Sequence, residues 1–243
     1  MDKQPAPAAD PEEIPAIVVS DHKIARPPAP SDVPRLSIAH LLLWTATCAA
    51  FFSVVRLLAK VPPGGLGTVL VALDGFGVGA AWAGLCIFVS RRWRGVAWPV
   101  EPGECLLAIF GARMAAETLL RLTMSGQFQS LSAVLDALTA CLAVVPVTIR
   151  TLPARWKAVF YWLIVIYGLP LANLCLEAWL QLPAAKRLAE GIVASQTLLS
   201  GLVVLPAVWR DWRAGQRWSW LHWAGLAVVW WLPLMEIAER LLG

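Results

Sequence analysis

Residues 66–94 read LGTVLVALDGFGVGAAWAGLCIFVSRRWR. The first 25 of them, Leu66 to Ser90, hold a single charge, Asp74. At about 1.5 Å per residue a helix over that run is ~37 Å long, enough to cross the ~30 Å hydrocarbon layer of a bilayer. The run then stops on Arg91, Arg92, Trp93 and Arg94, a basic and aromatic cluster of the kind that marks the cytoplasmic edge of a span. Working outward, six further apolar blocks of similar length follow the same grammar. The spans are expected at 36–59, 66–90, 103–124, 131–149, 156–180, 188–209 and 218–241, within a transmembrane domain over 36–243. The fold class expected is therefore all-α, a polytopic bundle of about seven spans.

Composition agrees with that reading. Hydrophobic residues make up 58% of the 243 and charged residues 15%, against roughly 45–50% and about 25% in soluble domains. The net charge of +4 comes from short Lys/Arg clusters at block ends, with no basic stripe and no nucleic-acid-binding motif, so nucleic acid is excluded as a partner and the lipid bilayer is expected as one. Cys48, Cys86, Cys105, Cys141 and Cys175 are scattered singly without a CxxC or a Cys/His cluster, which argues against a metal site, a redox motif or a cofactor. Beyond lipid, a homo-oligomeric or other membrane partner stays open.

Loop charge orients the bundle. Along the successive connections Lys and Arg alternate between rich and poor, beginning with Lys3, Lys23, Arg26 and Arg35 before the first span. By the positive-inside rule the N-terminus is cytoplasmic and the C-terminus outside. Trp93, Trp98, Trp156, Trp209, Trp212, Trp218 and Trp220 all fall at the expected cytoplasmic boundaries and are expected to anchor there at headgroup level. Within the second span Gly75 and Gly79 form a GxxxG step extended by Ala83, a face that lets a neighbouring backbone approach closely.

Charges within spans are costly, so each needs a partner, a wet cavity or a route to the interface. Arg56, Asp74, Arg113, Glu117, Arg121, Asp136, Glu177 and Glu236, with the polar Asn173 and Gln196, fall mostly in the outer half of the bilayer once the spans are oriented. Arg56, Arg121, Glu177 and Glu236 are near enough to the surface to snorkel. Asp74, Arg113, Glu117 and Asp136 remain as an intramembrane polar layer, either structural or the lining of an outward vestibule. Arg113, Glu117 and Arg121 share one stripe of the third span. Arg113 stays charged at any pH a protein meets, which requires a carboxylate, and Asp74 and Asp136 are the candidates from other spans.

Residues 1–35 are polar and proline-rich and are expected to form a disordered cytoplasmic tail, with Arg26-Pro27-Pro28-Ala29-Pro30 as a minimal PxxP. With no long apolar run before Leu36 no cleavable signal peptide is expected, and GxSxG, HExxH and phosphate-loop motifs do not occur in the sequence. Ala116 to Arg121, AETLLR, faintly resembles the Glu-Glu-xxx-Arg signature of CAAX-type intramembrane proteases. The first Glu of that signature is Ala116 here, and the chain's three histidines, His22, His40 and His222, form none of the family's later motifs. Arg35-Leu36-Ser37-Ile38, followed by Leu41-Leu42-Leu43-Trp44, resembles the opening helix of uncharacterised planctomycete-type bacterial multi-pass membrane proteins. That resemblance covers part of one helix and implies a bacterial inner (plasma) membrane, with no activity attached. The sequence thus leads to a non-enzymatic integral membrane protein of structural or accessory role. The alternatives are a small-solute or ion permease using the polar layer and a degenerate intramembrane protease-like protein.

Overall fold

The structure is a computed structural model that describes residues 37–59, 66–95, 101–123, 128–180 and 183–242. The chain divides into Met1–Val33 and Pro34–Gly243, and the described residues all belong to the second unit. The expected tail and Trp98 lie outside them, as do the side chains of Arg56, Arg121, Asn173, Glu177 and Glu236.

Among the described residues there are seven helices and no strand: α1 (Ile38–Ala59), α2 (Leu66–Trp93), α3 (Pro102–Thr123), α4 (Phe128–Thr148), α5 (Ala154–Leu180), α6 (Pro183–Arg213) and α7 (Trp220–Leu242). Their bounds follow the apolar blocks within a few residues, because the interruptions between blocks carry the helix-stopping chemistry. α6 departs most, running 31 residues and taking in charged positions at both ends that the hydrophobic block left out. Two helices, over Ile38–Val55 and Thr68–Trp93, are long and apolar enough to cross a bilayer; Ser132–Thr148 and Trp220–Met235 are shorter apolar stretches.

α6 ends on a left-handed glycine. Gly215 has φ of 63°, its N–H donates to the Trp212 carbonyl at 3.1 Å, and the Gln216 N–H donates to that of Asp211 at 3.1 Å. This is a Schellman cap, which an L side chain at position 215 would strain. The cap turns the chain sharply towards α7.

Neighbours in sequence are neighbours in space, and the chain folds back so that α7 packs on α2 and α3 as well as α6. α3 is the central helix, held by α2, α4 and α7. Residues 102–107 of it are all buried, as are Ile109, Phe110 and Met114. That placement explains how two charges of this helix are tolerated: Glu104 pairs with Arg91 of α2 and Arg113 with Asp136 of α4. α1 is the opposite case, packed mainly on α2 with most of its surface exposed.

Glycines set two of the helix crossings. A Cβ on Gly79 would collide with Cys48 of α1, whose backbone N stands 2.9 Å from that position, and one on Gly75 would press on Phe51 and Phe52. The close approach leaves α2 carbonyls open to α1: Thr47 Oγ1 lies 2.8 Å from the Gly79 oxygen, and Trp44 Nε1 donates to the Phe76 oxygen at 3.3 Å. At the other crossing α3 and α7 meet backbone to backbone, where Gly103 faces the His222 carbonyl and Gly225 faces the Gly103 carbonyl with no room for a Cβ on either.

Candidate functional site

Three places concentrate chemistry or space. The first is the buried charge pair between Arg113 of α3 and a carboxylate of another helix. Arg113 Nη1 donates to Asp136 Oδ1 of α4 at 2.7 Å and to Thr139 Oγ1, one turn along, at 3.1 Å. The Thr139 hydroxyl in turn donates to the Leu135 carbonyl at 2.7 Å. The Tyr167 ring of α5 covers the guanidinium, its centroid 5.0 Å from Cζ. Asp136 is 3% exposed and Arg113 19% as side chains, so this is a charge pair largely removed from solvent.

Of the two carboxylates that sequence offered Arg113, the structure gives it Asp136. The register of α2 on α3 explains why. Gly111 abuts the Ala81 carbonyl and Gly84 abuts Leu107, which sets residues 78 and 79 opposite Arg113. Asp74 is then level with Glu117, one turn further along α3. The register thus places Asp74 nearest Glu117 along α3, and Asp136 pairs with Arg113. Asp74 and Glu117 are both half-buried.

The second place joins the helix ends that carry the basic clusters, and the sequence reading missed it. Asp211, in the last turn of α6, is 2% exposed. Its Oδ2 accepts Trp156 Nε1 at 2.7 Å and Trp218 Nε1 at 3.0 Å, and its Oδ1 pairs with Arg155. Arg155 also donates to Gln216 Oε1 at 2.7 Å, just past the glycine cap. Trp218 stacks on His222, the planes 11° apart and the centroids 4.7 Å, while Trp156 meets the same imidazole edge-on. His222 is buried and its Nδ1 accepts the Gly103 N–H at 3.0 Å; a ring accepting there carries its proton on Nε2.

Glu101, at the start of α3, accepts the Ser219 N–H at 3.0 and 3.1 Å and the Ser219 hydroxyl as well. Arg91 at the end of α2 pairs with Glu104. Both carboxylates sit where helix N-termini leave N–H groups unsatisfied and the local field is positive. These contacts tie the ends of α2, α3, α5, α6 and α7 that carry the basic residues to one another.

This corrects the reading of one tryptophan. Trp156 is fully buried with its N–H on Asp211, so its indole faces inward, whereas Trp218, also bonded to Asp211, stays half-buried. Both lie at a helix end beside basic residues, and composition at a boundary cannot distinguish an indole turned outward from one turned in. Trp93 (86% exposed) and Trp212 (74%) do face outward. Trp209 is exposed under the Arg213 guanidinium at 3.8 Å, and Trp220 is half-buried against His40.

The third place is a groove of about 230 Å³ between α1, α2 and α7. Its floor is the small-residue face of α2, including Gly77, Ala80, Ala83 and Gly84. His40 and Trp220 stand at one end, 5.1 Å apart as rings, and Phe76 and Trp231 at the other. The Trp220 and Trp231 N–H groups are buried and find no acceptor. Among the described residues no cluster of three His, Cys, Asp or Glu could hold a metal ion.

Compared with protein-family models, with curated proteins and with solved structures, the chain matches none.

Proposed function

We propose that the chain is a multi-pass integral membrane protein with a structural or accessory role, its intramembrane charges serving to fix helix positions. The observation that carries this is the inverted distribution of polarity. All seven helices carry exposed large apolar side chains, among them Leu42, Val69, Leu119, Val134, Val165, Leu202 and Leu234, while Asp136, Thr139, Gln196, Asp211 and His222 are buried. Water-soluble proteins rarely expose continuous apolar surface on every element, whereas hydrocarbon solvates it without cost. The basic residues at one end of the bundle put that end in the cytoplasm by the positive-inside rule.

The accessory reading is supported by how the charges are used. Arg113 is closed off by Asp136, Thr139 and Tyr167, and Asp211 by Arg155 and two indoles. Charges so occupied hold helices together. The groove, lined almost wholly by apolar side chains, suits an apolar occupant better than an ion.

Two measurements test the reading. The chain should stay with the membrane through alkaline carbonate washing, and a fluorescent protein fused at the N-terminus should mature in the cytoplasm while alkaline phosphatase fused at the C-terminus is active outside. Release by carbonate would overturn the membrane reading. In proteoliposomes, Asp74→Asn and Asp136→Asn that fold normally yet alter proton or ion flux would replace the accessory role by a permease.

A further inference from the structure

The groove between α1, α2 and α7 has a length, a polarity and a charged mouth that together specify what fills it. Along α7 it runs from Trp220, the first residue of the helix, to Trp231, and along α2 from Ile87 back to Phe76. Eleven residues at 1.5 Å each are about 16 Å, close to half of the ~30 Å hydrocarbon thickness. The groove thus occupies one leaflet, beginning at the interface and ending near the bilayer midplane. Its floor is smooth because the facing α2 positions are Gly77, Ala80, Ala83 and Gly84. Its rim is open, since Ala227 of α7 is exposed where it lines the groove.

The mouth is cationic. The α2 stripe that floors the groove continues, one turn past Ile87, to Arg91, and Arg94 follows just beyond the helix end. Arg94 is exposed, and the Arg91 side chain remains 35% exposed while paired to Glu104. His40, bonded through Nδ1 to the Ser37 hydroxyl at 3.0 Å, completes the polar edge beside Trp220. An apolar slot one leaflet deep beneath an arginine-rich rim is complementary to an acyl chain with a negative headgroup.

We propose that this groove binds one acyl chain of an anionic glycerophospholipid from the leaflet at the basic end of the bundle, with its phosphate on the Arg94 and His40 rim. The inference rests on the membrane reading above. A lipid seated there fills the gap between α1 and α7, so α1, which packs mainly on α2, gains a second wall.

The test uses the full chain reconstituted in nanodiscs of phosphatidylcholine doped with phosphatidylglycerol or phosphatidylcholine carrying a mid-chain diazirine. After irradiation, crosslinks are mapped by mass spectrometry. Adducts should concentrate in residues 76–87 and 220–231 and favour the phosphatidylglycerol probe. Ala227→Trp should remove them, and Leu202→Trp, on the exposed face of α6, should not. Arg94→Glu should lower the preference for phosphatidylglycerol at least about fivefold, as expected for one interfacial arginine at ~1 kcal/mol. Adducts spread evenly over the exposed helices and indifferent to Ala227→Trp would overturn the proposal. A dimer in native mass spectrometry of the nanodiscs, with residues 76–87 and 220–231 unlabelled, would replace the lipid by a second copy of the chain. A chain that enters no nanodisc overturns the membrane reading and the groove with it, whereas incorporation with unselective labelling removes the groove alone.

Discussion

Trp156 donates its indole N–H to Asp211 at 2.7 Å, tying the first turn of α5 to the last turn of α6 inside the protein. Asp211 is the hub of that end of the bundle, since the same oxygen accepts Trp218 and the other pairs with Arg155. Asp211→Ala strips all three at once and leaves a partly buried guanidinium behind. Breaking a buried pair in this way costs on the order of 3 kcal/mol. Thermal unfolding in mild detergent should show that loss, and Asp211→Asn, which keeps an acceptor for the indoles, should lose less. Equal stability of Asp211→Ala and the parent would show that the network is not holding the helix ends.

The tryptophans themselves separate by substitution. Trp156→Phe leaves a buried carboxylate oxygen one donor short and should cost about 1–3 kcal/mol. Trp93→Phe, at an exposed site, should change stability by no more than about 0.5 kcal/mol. Chemical denaturation of the two variants side by side checks the contrast, and similar losses would contradict it.

Arg113 and Asp136 form a unit, so their effects should not add. Arg113→Ala leaves Asp136 unpaired in the interior and should destabilise by roughly 3–5 kcal/mol. Adding Asp136→Asn removes the stranded charge and should recover much of the loss. Arg113→Lys should rescue poorly, because one ammonium cannot match the planar fork that reaches Asp136 and Thr139 beneath Tyr167. A double variant no more stable than Arg113→Ala would contradict the buried pair.

Glycines at different places should respond with opposite signs. Gly225→Ala drives a methyl into the Gly103 carbonyl across the α3–α7 crossing and should abolish folded expression or cost several kcal/mol. Gly168→Ala meets nothing within 4 Å and should stabilise α5 by about 0.5–1 kcal/mol through the helix preference for alanine. Size-exclusion profiles and melting temperatures of the two variants distinguish these outcomes.

Much of the architecture was legible because local signals carried it. Apolar blocks such as 66–90 and 156–180 end at basic clusters, glycines or prolines, and the helices stop within a few residues of those signals. The GxxxG face at Gly75 and Gly79 was also visible, although which helix it receives was not; Cys48 and Thr47 of α1 answer that. The candidate site was read less completely. Arg113 demanded a carboxylate, but Asp74 and Asp136 were equivalent in sequence until helix register was known. The Asp211 network gave only a faint signal. A lone acid among Arg210, Arg213 and two tryptophans looks like ordinary boundary chemistry.

The sequence by itself determined the helices found among the described residues, their approximate ends and the apolar character of their surfaces, since each depends on residues within one segment. Only the tertiary structure decided which polar groups meet. That choice depends on helix rotation and register, where a shift of one residue turns a side chain by about 100°. The rotation of α5, held by Trp156 on Asp211, turns an apparent surface anchor into the centre of the bundle's basic end.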